Sequence, residues 1–298
     1  MNETEKKASK YLGKKTKGNE QYSPNFLVSV PRQENREQYN IKSECLPFEG
    51  YDVWHAYEFS TMTENNLPLT RVMKMKYSCN SEFLVESKSL KLYLNSFNMS
   101  KFGKDTKDCL AICKNIIEKD LNKVLEAKVE INFLDNGIER IEIYKEFQNI
   151  MNFIDEKELK IENFKESPQL LKTTVGVELE NHFLKFDALR SNCRVTHQPD
   201  FGDVYIYYKS KKIIDYNSLV QYLSSFRSEY HFHEECCEMI YKRLYDILGK
   251  DDDLLVSALY TRRGGIDICP TRYNKKGLVN DIDILLNTTK FARNGNKQ

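Results

Sequence analysis

Residues 191–202 read Ser-Asn-Cys-Arg-Val-Thr-His-Gln-Pro-Asp-Phe-Gly. Cys193 stands among polar residues there, outside any apolar stripe of helical or strand spacing. It reads either as a half-exposed loop cysteine or as a nucleophilic thiolate activated by cationic neighbours. Asp200 follows Pro199 and suits a turn. It also suits a general acid, provided burial or like charge raises its pKa. His233 and Glu234 open a helical pattern, where an acidic residue complements the helix dipole. Glu86-Ser87-Lys88-Ser89 reads as a capped helix start. Its other reading gives Glu86 a cationic or amidine-like edge and Lys88 a phosphate. Arg262-Arg263-Gly264-Gly265 marks a hairpin tip, solvated or suited to phosphate, since glycine admits close backbone approach and arginine binds bidentately. His231, His233, Cys236 and Cys237 look metal-like. Consecutive residues of a helix point about 100° apart, however, and the periodicity turns both thiols towards a core. No metal is expected.

These residues need elements to position them, and the chain supplies them twice. Ser89-Leu90-Lys91-Leu92-Tyr93-Leu94-Asn95-Ser96-Phe97 and Ser218-Leu219-Val220-Gln221-Tyr222-Leu223-Ser224-Ser225-Phe226 agree at six of nine positions with a constant offset of 129. An alternating run precedes each phrase: Val204, Ile206 and Tyr208 in the second half, and a less regular stretch from Arg71 to Val85 in the first. A helical pattern follows each, through Cys109, Cys113, Ile117 and Leu121, and through Cys236, Cys237, Ile240 and Leu244. Hairpin patterns come next: Val129 to Ile143 around Asn136-Gly137, and Leu255 to Ile268 around Gly264-Gly265. Each half therefore predicts strand, strand, helix, helix, strand, strand. The fold class is α+β, a duplicated unit of antiparallel sheet with helices on one face. The sheet edges of such units join or close into a barrel. The expected divisions are a polar segment over 1–21, one unit over 22–165 and a second over 166–298. The polar stretch ending near Pro168 forms the join.

The chain has 298 residues, with Lys+Arg 45 against Asp+Glu 44. That balance disfavours a dedicated nucleic-acid or membrane-surface binder. No apolar run approaches the roughly 18–20 residues of a membrane span, and the first residues carry no signal-peptide stretch. A cytoplasmic location with reduced thiols is expected for the eight cysteines. None of the 12 glycines forms a dinucleotide-binding or P-loop fingerprint.

Taken together, several phrases resemble the NADPH-dependent 7-cyano-7-deazaguanine reductases of queuosine biosynthesis, in their two-module form. They are Asp52–Trp54, Glu86–Asn98, Ser191–Gly202, Ser225–Arg227, Phe232–Glu234 and Tyr260–Ile268. The resemblance spans nearly everything beyond the first twenty residues. It implies the tunnelling fold, in which duplicated units surround a barrel-like tunnel, and a homodimer. It also implies reduction of a nitrile to a primary amine with two NADPH as cosubstrate. By motif, Cys193 would be the nucleophile and Asp200 the proton donor. Val85, Glu86, Ser87, His233 and Glu234 would bind the small-molecule base, and Ser87, Lys88, Arg263 and Gly264 would contact NADPH. Departures are His231 where an acidic residue is frequent, Phe201 for Trp, Cys269 for Asn, and an extra acidic residue in Asp251–Asp253. His231 is expected to alter the pH profile. The competing functions are a non-redox relative of the GTP cyclohydrolase type, which needs a metal set, and a base-binding module, which needs no Cys193 with Asp200.

Overall fold

The computed structural model describes residues 21–294, so the expected segment 1–21 lies outside the described residues except for its last position. The strands are β1 (Ser29–Pro31), β2 (Glu49–Met62), β3 (Pro68–Ser78), β4 (Phe83–Val85), β5 (Val129–Leu134), β6 (Arg140–Glu142), β7 (Gln148–Asn149), β8 (Thr173–Asn192), β9 (Pro199–Ile214), β10 (Asp253–Tyr260), β11 (Ile266–Tyr273) and β12 (Phe291–Arg293). The helices are α1 (Gln33–Gln38), α2 (Ser87–Asn95), α3 (Thr106–Leu125), α4 (Tyr216–Ser224), α5 (His233–Leu248) and α6 (Asp281–Leu286). Eight strands form one mixed sheet in the order β5-β3-β2-β11-β10-β9-β8-β7. Its centre is an antiparallel seam in which Ile266 opposes Ala56 and Tyr273 opposes Glu49. The seam joins the first half of the chain to the second.

Local chemistry sets the helices. Asp105 caps α3 by accepting from the Asp108 N–H, and Asp215 caps α4 by accepting from Ser218. Along α3, Cys109, Cys113, Ile117, Leu121 and Leu125 recur every fourth residue, and all five are buried. With Tyr93, Leu94 and Phe97 they cover Met73, Met75, Val129 and Ile131 of the sheet. The second copy of the phrase does the same, with Tyr222, Leu223, Phe226, Cys236 and Cys237 over Val204, Ile206, Val256 and Ala258. The helices α2 to α5 thus share one face.

Two expectations need correction. Val129 to Ile143 is not a hairpin: among the described residues β5 pairs with β3 alone, and β6 leaves the main sheet to pair in parallel with β12. Ile143, Tyr144 and Phe147 then bury on the opposite face of the sheet against Tyr205 and Tyr207. The helices are not confined to one face either. Ile282 and Leu285 of α6 cover Val53, Leu255 and Cys269 on that same opposite face, because the alternating residues there are apolar and require a cover. Among the described residues no helix is long and apolar enough to cross a membrane.

Candidate active site

A cleft lies at the seam. Trp54 of β2 and Ile266 and Ile268 of β11 line it, since alternation turns these three to the helix-covered face. Val85 enters from the end of β4, Ser87 and Lys88 from the start of α2, and Phe232, His233 and Glu234 from the start of α5. Cys193 comes from the β8–β9 loop, Asp200 from β9, and Arg263 and Gly264 from the β10–β11 tip.

The Cys193 loop is closed by its own backbone. The Cys193 N–H donates to the Gln198 carbonyl at 2.8 Å, and the His197 N–H donates to the Cys193 carbonyl at 2.9 Å. Among the described residues Cys193 is the one half-exposed thiol; six others are buried, and Cys45 is exposed. Burial pushes the Cys236 thiol up to about 12, so its thiolate is suppressed. Asp200 carries two cationic-type partners, the Arg263 guanidinium on Oδ1 and His233 Nε2 at 3.4 Å from Oδ2. Arg263 also donates to Thr196 Oγ1 at 3.1 Å, tying the Cys193 loop to Asp200. The His233 ring stacks on Tyr260 with centroids 3.8 Å apart and planes 4° apart. That stack fixes the imidazole edge facing Asp200.

Glu234 is buried, and its Oε1 has no hydrogen-bond partner among the described residues. Burial and then the Asp52 carboxylate raise its pKa to about 8, against the pull of a backbone N–H, Arg32 and Arg272. Glu86 behaves differently. Its carboxylate caps α2, accepting from the Lys88 N–H at 3.0 Å and the Ser89 N–H at 2.6 Å, and it does not line the cleft. The structure thus brings nine of the ten residues singled out by sequence into one cleft and sets Glu86 just behind it. At the mouth, Lys91 Nζ donates to the Gly264 carbonyl at 2.7 Å, and a Cβ on Gly264 would lie 3.0 Å from Lys88 Nζ. Burial, then Arg263 and Lys91, lower the pKa of Lys88.

Sequence reasoning missed Trp54, Lys91, His231, Phe232, Ile266 and Ile268 as lining residues, and Tyr260 as the support of His233. The alternation of β2 and β11 held the signal for three of them. The metal-like set disperses. His231 bonds Glu229 at 3.1 Å and Tyr39 at 3.3 Å, while Cys237 packs in the core against the Val256 and Pro270 carbonyls. Burial opposes charge on His231, but Glu229 and Glu235 outweigh it and raise its pKa to about 9. Among the described residues, the side chains within metal-ligating reach are His55, Asp267 and Cys269, on the face away from the cleft. Arg293 Nη1 already lies 2.9 Å from Cys269 Sγ and 3.3 Å from Asp267 Oδ1, so a guanidinium supplies the positive charge there.

A family model for the N-terminal part of the nitrile reductase 7-cyano-7-deazaguanine reductase matches residues 18–133, and one for QueF-like proteins matches residues 199–277. NADPH-dependent 7-cyano-7-deazaguanine reductases from Colwellia psychrerythraea and Coxiella burnetii are each 38% identical, covering 88% of this chain and 90% of their own. That from Buchnera aphidicola is 38% identical over 84% of this chain and 92% of its own. The chain belongs to the NADPH-dependent 7-cyano-7-deazaguanine reductase family. The reductase family models take in Ser87, Lys88, Asp200, His233, Glu234 and Arg263, while Cys193 falls between the two matched stretches.

Proposed function

We propose that this chain reduces the nitrile of 7-cyano-7-deazaguanine to the aminomethyl group with two NADPH, through a covalent adduct on Cys193. The observation that carries this reading is the convergence of Cys193, Asp200 and Glu234 in one cleft with a basic mouth. Trp54, Val85, Phe232, Ile266 and Ile268 offer apolar faces to a planar base, and Glu234 offers an unpartnered oxygen to its N–H edge. Glu86 stabilises the start of α2 and so holds Ser87 and Lys88 at the cleft.

A nitrile carbon is a poor hydride acceptor. In the proposed step Asp200 takes the thiol proton as Cys193 Sγ bonds to the nitrile carbon, then returns it to the nitrile nitrogen. The product is a neutral thioimide, with the proton count closed. Bound NADPH supplies hydride. Cys193 leaves as thiolate after the first reduction, and Asp200 steers proton delivery to the nitrogen. Cysteine fits both attack and departure. Enclosure in the cleft keeps water from the imine. Lys88, Lys91, Arg263 and the Cβ-free Gly264 suit the phosphates of the dinucleotide, since cations and open backbone meet at one rim.

The paired copies of one phrase, each on a strand-strand-helix-helix frame, support a duplicated tunnelling fold with units over 22–165 and 166–298. A homodimer is part of the proposal. It draws support from the one-sided pairing of β5 and from exposed Val175, Val177 and Leu179 on β8, margins suited to a second copy. Light scattering on the purified chain checks that mass. The chemistry is tested without NADPH: enzyme mixed with substrate gains one substrate mass per chain, and Cys193→Ala gains none and does not turn over. Near wild-type turnover by Cys193→Ala refutes covalent catalysis at this thiol.

A further inference from the structure

Glu234 and Glu238 sit one turn apart on α5, so their side chains share a face. Behind Glu234 that face meets a buried cluster of charges. Arg36 of α1 donates to both oxygens of Glu238 at 2.8 Å. Arg272 of β11 donates to Glu238 at 2.9 Å and lies 2.8 Å from Asp52 Oδ1. Arg32 donates to Asp52 Oδ2 at 2.5 Å and reaches Glu238 at 3.5 Å. All five side chains are buried. Three guanidinium groups thus face two carboxylates behind Glu234, and of these charges Asp52 acts on Glu234 most strongly, ahead of Arg32 and Arg272. Burial opposes ionisation of Glu238, yet Arg272, Arg36 and Arg32 hold it at about 2. It is therefore a fixed charge at working pH.

We propose that the network of Arg32, Arg36, Asp52, Glu238 and Arg272 is the positioning and charge-setting device for Glu234, holding it as the acceptor of the paired N–H edge of the base. The inference rests on the reading of Glu234 as a substrate contact. The network spans the loop before α1, the helix α1 itself, both strands of the seam and α5. Anchoring Glu238 from three sides fixes the rotation of α5 and hence the direction of Glu234. Within the network Arg32 and Arg272 favour a Glu234 carboxylate, while burial and Asp52 oppose it more strongly and keep its proton until the base arrives. The charged and titratable groups acting on Glu234 are Asp52, Arg32 and Arg272, with Tyr77 of β3, and Glu238 lies one turn further along its own helix. A base that needs a carboxylate displaces the proton from Glu234, so affinity rises as pH rises through the Glu234 pKa, near 8.

The test reads binding directly. Trp54 is the single tryptophan and lines the cleft, so its fluorescence reports occupancy by 7-cyano-7-deazaguanine. Dissociation constants are measured from pH 6 to 10 in the Cys193→Ala chain, where no adduct forms. The parent is expected to tighten with a midpoint near pH 8, and Glu234→Gln to lose that dependence. Glu238→Gln removes a negative charge behind Glu234 and should lower the midpoint by about one unit. Arg36→Gln removes a positive charge and should raise it. Either variant carries the test alone if the other fails to fold, because each predicts its own sign. Weaker binding with unmoved midpoints means that the network is merely structural and overturns the inference. A parent without the pH dependence, or a Glu234→Gln chain that keeps it, instead overturns the substrate-contact reading of Glu234.

Discussion

Asp200 is held by Arg263 on one oxygen and faced by His233 at the other. Asp200→Asn keeps the size of the group but cannot shuttle the thiol proton. Adduct formation without NADPH should slow by roughly 10²–10⁴-fold, as expected for loss of a general acid–base. Stopped-flow absorbance of the adduct measures it, and an unchanged rate means that another group moves the proton. Cofactor choice is argued at the same scale. Lys88 and Arg263 flank Gly264 at the cleft rim. A strong preference for NADPH over NADH is expected, and Lys88→Met should narrow the ratio of their kcat/KM values. Loss of one charge-assisted hydrogen bond is worth about 1.5–3 kcal/mol, so the narrowing should be about ten- to a hundredfold. Equal use of both cofactors by the unaltered chain removes the phosphate assignment.

Among the elements, the β10–β11 tip carries a backbone requirement at the cleft itself. Gly265 adopts φ +79°, and a Cβ there would fall 2.4 Å from the Glu58 carboxyl carbon. Glu58 is exposed and can swing aside, whereas the left-handed backbone cannot be relieved. Gly265→Ala should cost about 1–2 kcal/mol of stability and raise the KM for NADPH with little change in base affinity. Thermal melting and steady-state kinetics separate the two effects, and an unaltered KM shows that the tip is not at the cofactor. This tip was legible beforehand because two glycines stood between apolar alternations. The repeated phrase was equally legible, since Tyr93, Leu94 and Phe97 and their counterparts Tyr222, Leu223 and Phe226 carry helical spacing with burial. The Asn136-Gly137 signal misled because a turn motif fixes a reversal but not the partner of the next strand. Only Phe291–Arg293, far along the chain, shows what Arg140–Glu142 pairs with. Tyr260 under His233 and the guanidinium groups behind Glu234 were invisible for the same reason: their partners come from distant segments.

For the whole molecule, the buried charges set acid tolerance. Glu238 is depressed to about 2, against a usual glutamate value of about 4.3. Its stabilisation is therefore complete above that usual value and disappears as pH falls through about 2. Glu238→Gln should lower the melting temperature at neutral pH, since breaking a buried ion pair costs about 3–5 kcal/mol. The gap from the unaltered chain should close towards pH 2. Calorimetry between pH 7 and pH 2 checks it, and a constant gap would show that the Glu238 charge contributes nothing to folding.

The seam has a further consequence in time. Gly50 pairs with Arg272, more than two hundred residues later. At roughly 5–20 residues per second of synthesis, β2 waits on the order of 10–40 s for its neighbour. During that interval a long strand presents an unpaired edge while the cleft it will help to form does not yet exist. Such distant pairing also slows folding, because loop closure must precede the contact that rewards it. The nascent chain is therefore most open to edge-to-edge association, and most in need of a holding chaperone, after α3 has docked and before β11 emerges.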